Sequence, residues 1–462
     1  MLSGGRSSIG NWIILLLVLS ALIPLVCTPY ASDHKLYRES FRGNYNLKQA
    51  DKIYEPKVIV LYIISALLMI LGLIWQHIMS EKLEGDVSFI PLLFLLVFLI
   101  LSTLFSHDIH RSLYGALYRW EGFVTFACYL TLFFSTALFV NSRSKIRYIV
   151  YSISAVAVLI SVYGLLQYYG LEFIEWMPPR DTWGKRAFAT LGNPDFAGSY
   201  SLLFLPAAIV MYFFAEEKIR IVAYGILSAL FYSLLIATST RSSWLAFICV
   251  LPLIIYFCWK KRILKRNLVK FIVLFSVFVL IFGILNLRHD GYQFNRVISI
   301  FSDANTVATG DGEEVQRAGS NRILIYQTSL PLLLENPVLG SGLDTFDLVF
   351  PQETYQEIVG TESIVDKAHN EYLQLGVTAG LPALVAYLVF LCFVFHRGWR
   401  NWKQDDSGLR AALLIAFLAY IVQAFFNISV VSVAPIFWIV MGLNIAVNRV
   451  KMGAGRPPRG VN

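Results

Sequence analysis

The sequence predicts an all-α protein, a polytopic bundle of about twelve membrane-crossing helices, on three observations. The 462 residues are 57% hydrophobic and 15% charged, with a mean hydropathy of +0.62, whereas water-soluble chains carry about 25% charged residues. Apolar runs near the ~20 residues needed to cross a bilayer recur along almost the whole chain. Lysine and arginine collect in the breaks between alternate runs, which is how sidedness marks such a protein.

In order, spans are expected at 11–28, 57–78, 87–105, 121–141, 147–169, 197–215, 219–239, 242–259, 268–286, 377–395, 410–427 and 431–448. The first has a signal-peptide shape. Its basic lead is a single Arg6 and no small-x-small cleavage site follows, so it reads as an uncleaved anchor. Four regions result: N-terminal spans with an outer loop at 29–56 (1–84), a transmembrane core (85–286), a large outer loop with short helices (287–376), and C-terminal spans with a basic tail (377–462).

Connections holding Arg143, Lys145 and Arg147, then Lys260, Lys261, Arg262, Lys265, Arg266 and Lys270, then Arg397, Arg400, Lys403 and Arg410, fall on one side, as does the tail with Arg449, Lys451, Arg456 and Arg459. The positive-inside rule makes that side cytoplasmic. The net charge of +8 then reads as topology and contact with membrane lipids, with no call for nucleic acid. All five cysteines lie within or at the edge of expected spans, so no disulfide framework is expected outside.

Polar clusters gather on the other face. Arg241, in "TSTRSSW", interrupts two apolar runs and is flanked by Thr238, Ser239, Thr240, Ser242 and Ser243. It either snorkels to the headgroups or, with its hydroxyls, receives an anion. "KRAFATLGNPDFAGSY" holds Arg186, Asn193 and Asp195 in a tight turn leading to a helix start. "RWEGF" sets Arg119 beside Glu121, where an ion pair is the plainest expectation.

In the large loop, "QRAGSNRILIYQ" supplies Arg317 and Arg322, with Ser320-Asn321 as a cap for an amphipathic helix. A basic residue in a helix's first turn runs against its dipole, which favours a ligand role for Arg322. In "DKAHNEYLQLGV", His369 and Asn370 precede the tenth span. A zinc pair would want a histidine at i+4, and position 373 is leucine. His107 and His110 form the other close pair, and neither a metal nor another cofactor is expected. A neutral imidazole near fixed guanidinium groups suits proton removal from a hydroxyl while a diphosphate leaves.

The ordered series "RWEG", "LGNPDFAGSY", "STRSSWLAF", "SNRILIYQ", "NPVLGSGLDTF" and "AHNEYLQLGVTAGLPALVAYL" resembles the bacterial O-antigen ligase and polymerase superfamily over roughly residues 85–447. The resemblance implies an inverting, metal-independent glycosyltransferase of the cytoplasmic membrane with its site on the extracytoplasmic side. Its donor would be an undecaprenyl-diphosphate-linked glycan and its acceptor a glycan or lipid-glycan hydroxyl. It implies diphosphate binding by Arg241 and by Arg322, with Arg317 as competitor, and acceptor activation by His369. Arg186, Asn193, Asn370 and Arg119 are expected to bind substrate. The family's common "GNPN" is "GNPD" here, which leaves the second asparagine's role open at Asp195. The competing readings are a protein O-oligosaccharyltransferase and a lipid-linked-glycan transporter. A transporter should show two matching halves and mid-span charges, and neither is evident.

Overall fold

The computed structural model describes residues 2–28, 51, 53–79, 89–174, 183–263, 267–310, 312–405 and 407–450. Most of the expected 29–56 loop, Lys265, Arg266 and the tail from residue 451 lie outside the described residues.

Among the described residues the chain is helical, with no strand. The first half runs α1 (Leu2–Ser20), α2 (Glu55–Met79), α3 (Ile90–Leu104), α4 (Ile109–Tyr114), α5 (Phe123–Phe139), α6 (Arg143–Tyr169), α7 (Pro194–Phe214), α8 (Lys218–Ala237) and α9 (Arg241–Lys260). There follow α10 (Leu268–Arg288), α11 (Tyr292–Thr309), α12 (Gly312–Arg317), α13 (Arg322–Ser329), α14 (Leu332–Glu335), α15 (Phe346–Val349) and α16 (Gln352–Val359). The chain closes with α17 (Glu371–Ala379), α18 (Leu381–Asn401), α19 (Leu409–Gln423) and α20 (Ala434–Arg449).

Among the described residues eight segments are long and apolar enough to cross a membrane: Ser8–Leu25 and helices α2, α6, α7, α8, α9, α10 and α18. The chain is a multi-pass membrane protein. The other four apolar helices have 15 (α3), 17 (α5), 15 (α19) and 16 (α20) residues, short of the ~20 of a full crossing. Eight therefore stand where twelve were expected.

Helix α7 is the axis of the bundle. Its apolar window is 89% buried, against 11% for α10, which presents its surface outward. It packs on α8, α9 and α19. Gly198 lets α9 approach, since a Cβ there would lie 2.4 Å from Ser243 Oγ. Side-chain amides then join the three helices: Gln423 Nε2 donates to Ser199 Oγ (2.9 Å) and Ser243 Oγ (2.7 Å), and Asn427 Nδ2 to Ser199 Oγ (2.6 Å). Small residues and shared polar contacts are how helices associate where lipid gives no hydrophobic drive.

The two ends differ. At one, basic side chains close the open carbonyls of helix ends: Lys270 Nζ donates to Ala215 O (2.6 Å), Arg449 Nη1 to Ala137 O (3.0 Å) and Lys261 Nζ to Lys403 O (2.8 Å). Cations there complement the helix dipoles. At the other end meet the 183–193 turn, the α8–α9 hairpin and the 289–376 segment. The turn is pinned from below by Lys57, fully buried, whose Nζ donates to Val26 O (2.7 Å), Ile53 O (2.9 Å) and Thr190 O (2.9 Å).

Candidate active site

Arg241 is the first residue of α9, where the chain turns between two apolar helices. Its guanidinium reaches out to the 289–376 segment: Nη1 donates to Asp303 Oδ2 (2.7 Å) and Ser299 Oγ (3.1 Å), and Nη2 to Ser320 Oγ (2.7 Å). The hydroxyls beside it in sequence do not join it. Thr238, Ser239, Thr240, Ser242 and Ser243 are buried, and four of them already serve the bundle, bonding Leu235 O, Gln293 Oε1, Pro194 O and Gln423 Nε2. Buried hydroxyls take partners within the fold because an unpaired one is costly, so the expected anion-receiving ring does not form.

Asp195, which accepts from Thr240 Oγ1 of the hairpin at 3.2 Å, gathers two further arginines. Asn193 caps α7 by accepting from Asp195 N (2.8 Å), which directs Asp195 outward from the first turn. Arg186 Nη2 lies 2.6 Å from Asp195 Oδ1 and Arg322 Nη2 lies 3.6 Å from Oδ2. Arg186 also donates from Nε to Thr238 O (2.9 Å), which joins this pair to the Arg241 hairpin. The residue that departs from the family pattern is thus the carboxylate that spaces two guanidiniums.

Arg322 opens α13, as the apolar spacing predicted, but Asn321 supplies no side-chain cap. Asn321 is left-handed (φ 63°), and Ser320, its expected co-cap, is taken by Arg241. One turn on, Tyr326 Oη donates to His369 O (3.0 Å) and Phe425 O (2.9 Å). Helix α13 therefore carries an arginine and also fixes the backbone of His369. His369 is itself left-handed (φ 50°), uncommon for a non-glycine residue, and Asn370 behind it caps α17 by accepting from Tyr372 N (3.0 Å) and Leu373 N (3.1 Å). Enclosure away from water, helped by the Arg322 charge, lowers the imidazole pKa to about 4. The ring is neutral at physiological pH, with a lone pair free to accept a proton.

Arg119 pairs with Asp366 (2.5 Å) instead of Glu121, whose Oε1 accepts from Tyr129 Oη (2.6 Å). Both precede α5, but Glu121 is buried against Tyr129 of that helix while Arg119 reaches the loop at Asp366. Lys367 and Asp344 form a buried pair, and Asp344 Oδ2 also accepts from Ala116 N (2.6 Å). The "RWEG", "GLDTF" and "KAHN" segments are tied together by that carboxylate. Arg317 ends α12, and its side chain lies outside the described residues.

Three participants were missed from sequence: Asp366, which pairs with Arg119, and two residues of α11. Arg296 donates to Ser239 O (3.3 Å from Nε and 3.2 Å from Nη2), and Asp303 holds Arg241. Both lie on α11 with Ser299, at i, i+3 and i+7, one face of a helix. That spacing is readable in the sequence, within a loop expected to hold short helices of unassigned limits. Among the described residues, then, Arg119, Arg186, Arg241, Arg296 and Arg322 stand against Asp195, Asp303 and Asp366: five cations to three anions, an excess of two. Such a site can receive a dianion.

Residues 226–388 match the family described as O-antigen ligase. The match runs from the middle of α8 into α18 and takes in Arg241, Arg322 and His369, while Arg119, Arg186, Asn193 and Asp195 precede it. No curated protein matches the chain.

Proposed function

From the match of residues 226–388 to the O-antigen ligase family we propose that the chain belongs to that superfamily and is an inverting, metal-independent glycosyltransferase. It moves glycan from an undecaprenyl-diphosphate-linked donor onto a sugar hydroxyl during assembly of a cell-surface polysaccharide. The observation that carries this reading is the linked set of arginines, Arg322 to Arg186 through Asp195 and Arg186 to the Arg241 hairpin through Thr238 O, with Arg322 acting on a neutral histidine. A diphosphate diester carries two negative charges, and guanidiniums meet phosphate oxygens two bonds at a time.

In this mechanism His369 takes the proton of the acceptor hydroxyl, whose oxygen attacks the anomeric carbon. The bond from that carbon to the phosphate oxygen breaks, and the lipid diphosphate leaves with the electron pair. Arg241 and Arg322 meet the charge that grows on it, while Arg186, Asn193, Asn370 and Arg119 line the approach and Arg317 is a further loop cation. The four shorter apolar helices complete twelve crossings, tilted or locally thinning the bilayer. The end with the arginine cluster faces outward from the cytoplasmic membrane, and the end with Lys261, Lys270 and Arg449 faces the cytoplasm, as the positive-inside rule requires.

The deciding experiment offers purified protein a polyprenyl-diphosphate-linked glycan with lipid A core, a second repeat unit or a serine peptide as acceptor. Glycan on either sugar acceptor is the expected product; glycan on the peptide alone favours protein glycosylation, and no transfer to any acceptor removes the enzyme reading. Sidedness has its own check. With Cys249 and Cys392 changed to serine, a cysteine replacing the exposed Glu353 should label with an impermeant maleimide in intact spheroplasts, and one replacing Lys403 only after lysis. The reverse pattern inverts the topology.

The histidine also predicts a pH profile. In the free protein the imidazole protonates near pH 4, so kcat/KM should hold as pH falls through 6 and 5 and be lost towards 4. Bound diphosphate stabilises the imidazolium and raises its pKa, so the acid limb of kcat should lie at higher pH than that of kcat/KM. Coincident limbs would mean that the donor's charges do not reach His369.

A further inference from the structure

The contacts of Arg241 come entirely from the segment it would have to share with a ligand. Asp303 Oδ2 takes Nη1 at 2.7 Å and is braced by Gly319 N at 3.1 Å, while Ser299 and Ser320 take the remaining reach of the two terminal nitrogens. A diphosphate held by the Nη1 side of Arg241 must replace that carboxylate.

Asp195 and Asp303 differ in how firmly they are held. Asp195 sits in the first turn of the buried central helix, gripped by Arg186, Arg322 and the Thr240 hydroxyl (3.2 Å). Asp303 is 34% exposed against 25% for Asp195, and it lies on α11, where Gln293 is buried. The outward side of α11 leaves Phe294, Ile298 and Phe301 uncovered. At its inner side Val297 and Ile300 pack against the core, and polar contacts join it to the bundle: Gln293 to Tyr168 Oη (3.1 Å), Arg296 to Ser239 O, and the Arg241 pair itself. Displacing Asp303 therefore disturbs little packing, whereas displacing Asp195 would open the core.

We propose that Asp303 is an exchangeable counter-anion of Arg241, which holds the guanidinium between turnovers, yields it to the donor and reclaims it from the product. The inference rests on Arg241 being the diphosphate anchor of the proposed function. It answers a difficulty of that function: once the glycosyl bond breaks, the leaving diphosphate bears more negative charge than the donor did, and unopposed arginines would bind product more tightly than substrate. A tethered carboxylate opposes this at an effective concentration in the millimolar range without any external ligand.

The test is the affinity of purified full-length protein in nanodiscs for inorganic diphosphate. Asp303→Asn should bind it about fivefold more tightly, the equivalent of the ~1 kcal/mol that a partly exposed ion pair contributes. Asp303→Ser, a second charge-free variant, should do the same, and Asp303→Glu should keep the wild-type value. In the transfer assay Asp303→Asn should lower the donor KM and the diphosphate inhibition constant together. Unchanged or weaker binding in both charge-free variants, with binding still lost in Arg241→Ala, overturns the counter-anion role and leaves the anchor standing. Binding that is indifferent to Arg241→Ala in every background removes the anchor, and the proposal with it.

Discussion

Glutamine in place of His369 is expected to reduce glycan transfer by about 10²- to 10⁴-fold, the usual contribution of a positioned general base. Glutamine retains much of the side-chain volume and leaves the backbone carbonyl free to receive Tyr326 Oη, so insertion and packing should survive. The loss should fall on kcat with donor affinity nearly intact, because the imidazole acts on the acceptor. Single-turnover rates with donor prebound would separate the two. A variant with unimpaired turnover would take the proton-accepting role away from His369.

Lysine in place of Arg241 should cost about 10²-fold in kcat/KM, the scale seen when one donor to a developing oxyanion is lost. Charge is retained, so a purely electrostatic role would predict little change. The difference lies in geometry: Arg241 uses two terminal nitrogens to span Asp303 and Ser320 at once, and an ammonium presents a single point from a shorter stem. A variant with wild-type donor affinity and turnover would mean that Arg241 merely holds α11 in place.

What could be read from the sequence follows from the range of each signal. Apolar runs are local, so α7, α8, α9 and α10 lie close to their expected limits. The turn chemistry of Asn193 and Asn370 is local too, and both cap the helices that follow them. Arg241, Arg322 and His369 were singled out through ordered motifs. The structure links Arg322 to Arg186 through Asp195, and Arg186 to the Arg241 hairpin through Thr238 O. Pairings across the chain left no trace in spacing: Arg119 finds Asp366, and Arg241 finds Asp303. Nor could the hydroxyls around Arg241 be read correctly, because their direction depends on the helix packed against them. Gly198 and Gln423 decide that, and they come from α7 and α19.

Lys57 gives the last of these long-range links a bearing on assembly. Its ammonium joins three carbonyls from segments widely separated in sequence, at residues 26, 53 and 190. An unmatched cation on a membrane helix is expensive, and the three carbonyls take its hydrogen bonds. The turn that aims Asp195 and Arg186 is thereby held from the first two helices, through Val26 O, Ile53 O and Thr190 O. Residues far upstream of the matched 226–388 segment thus act as a scaffold of the site, and a chain shortened before residue 57 would carry every proposed catalytic group without the joint that brings them into register.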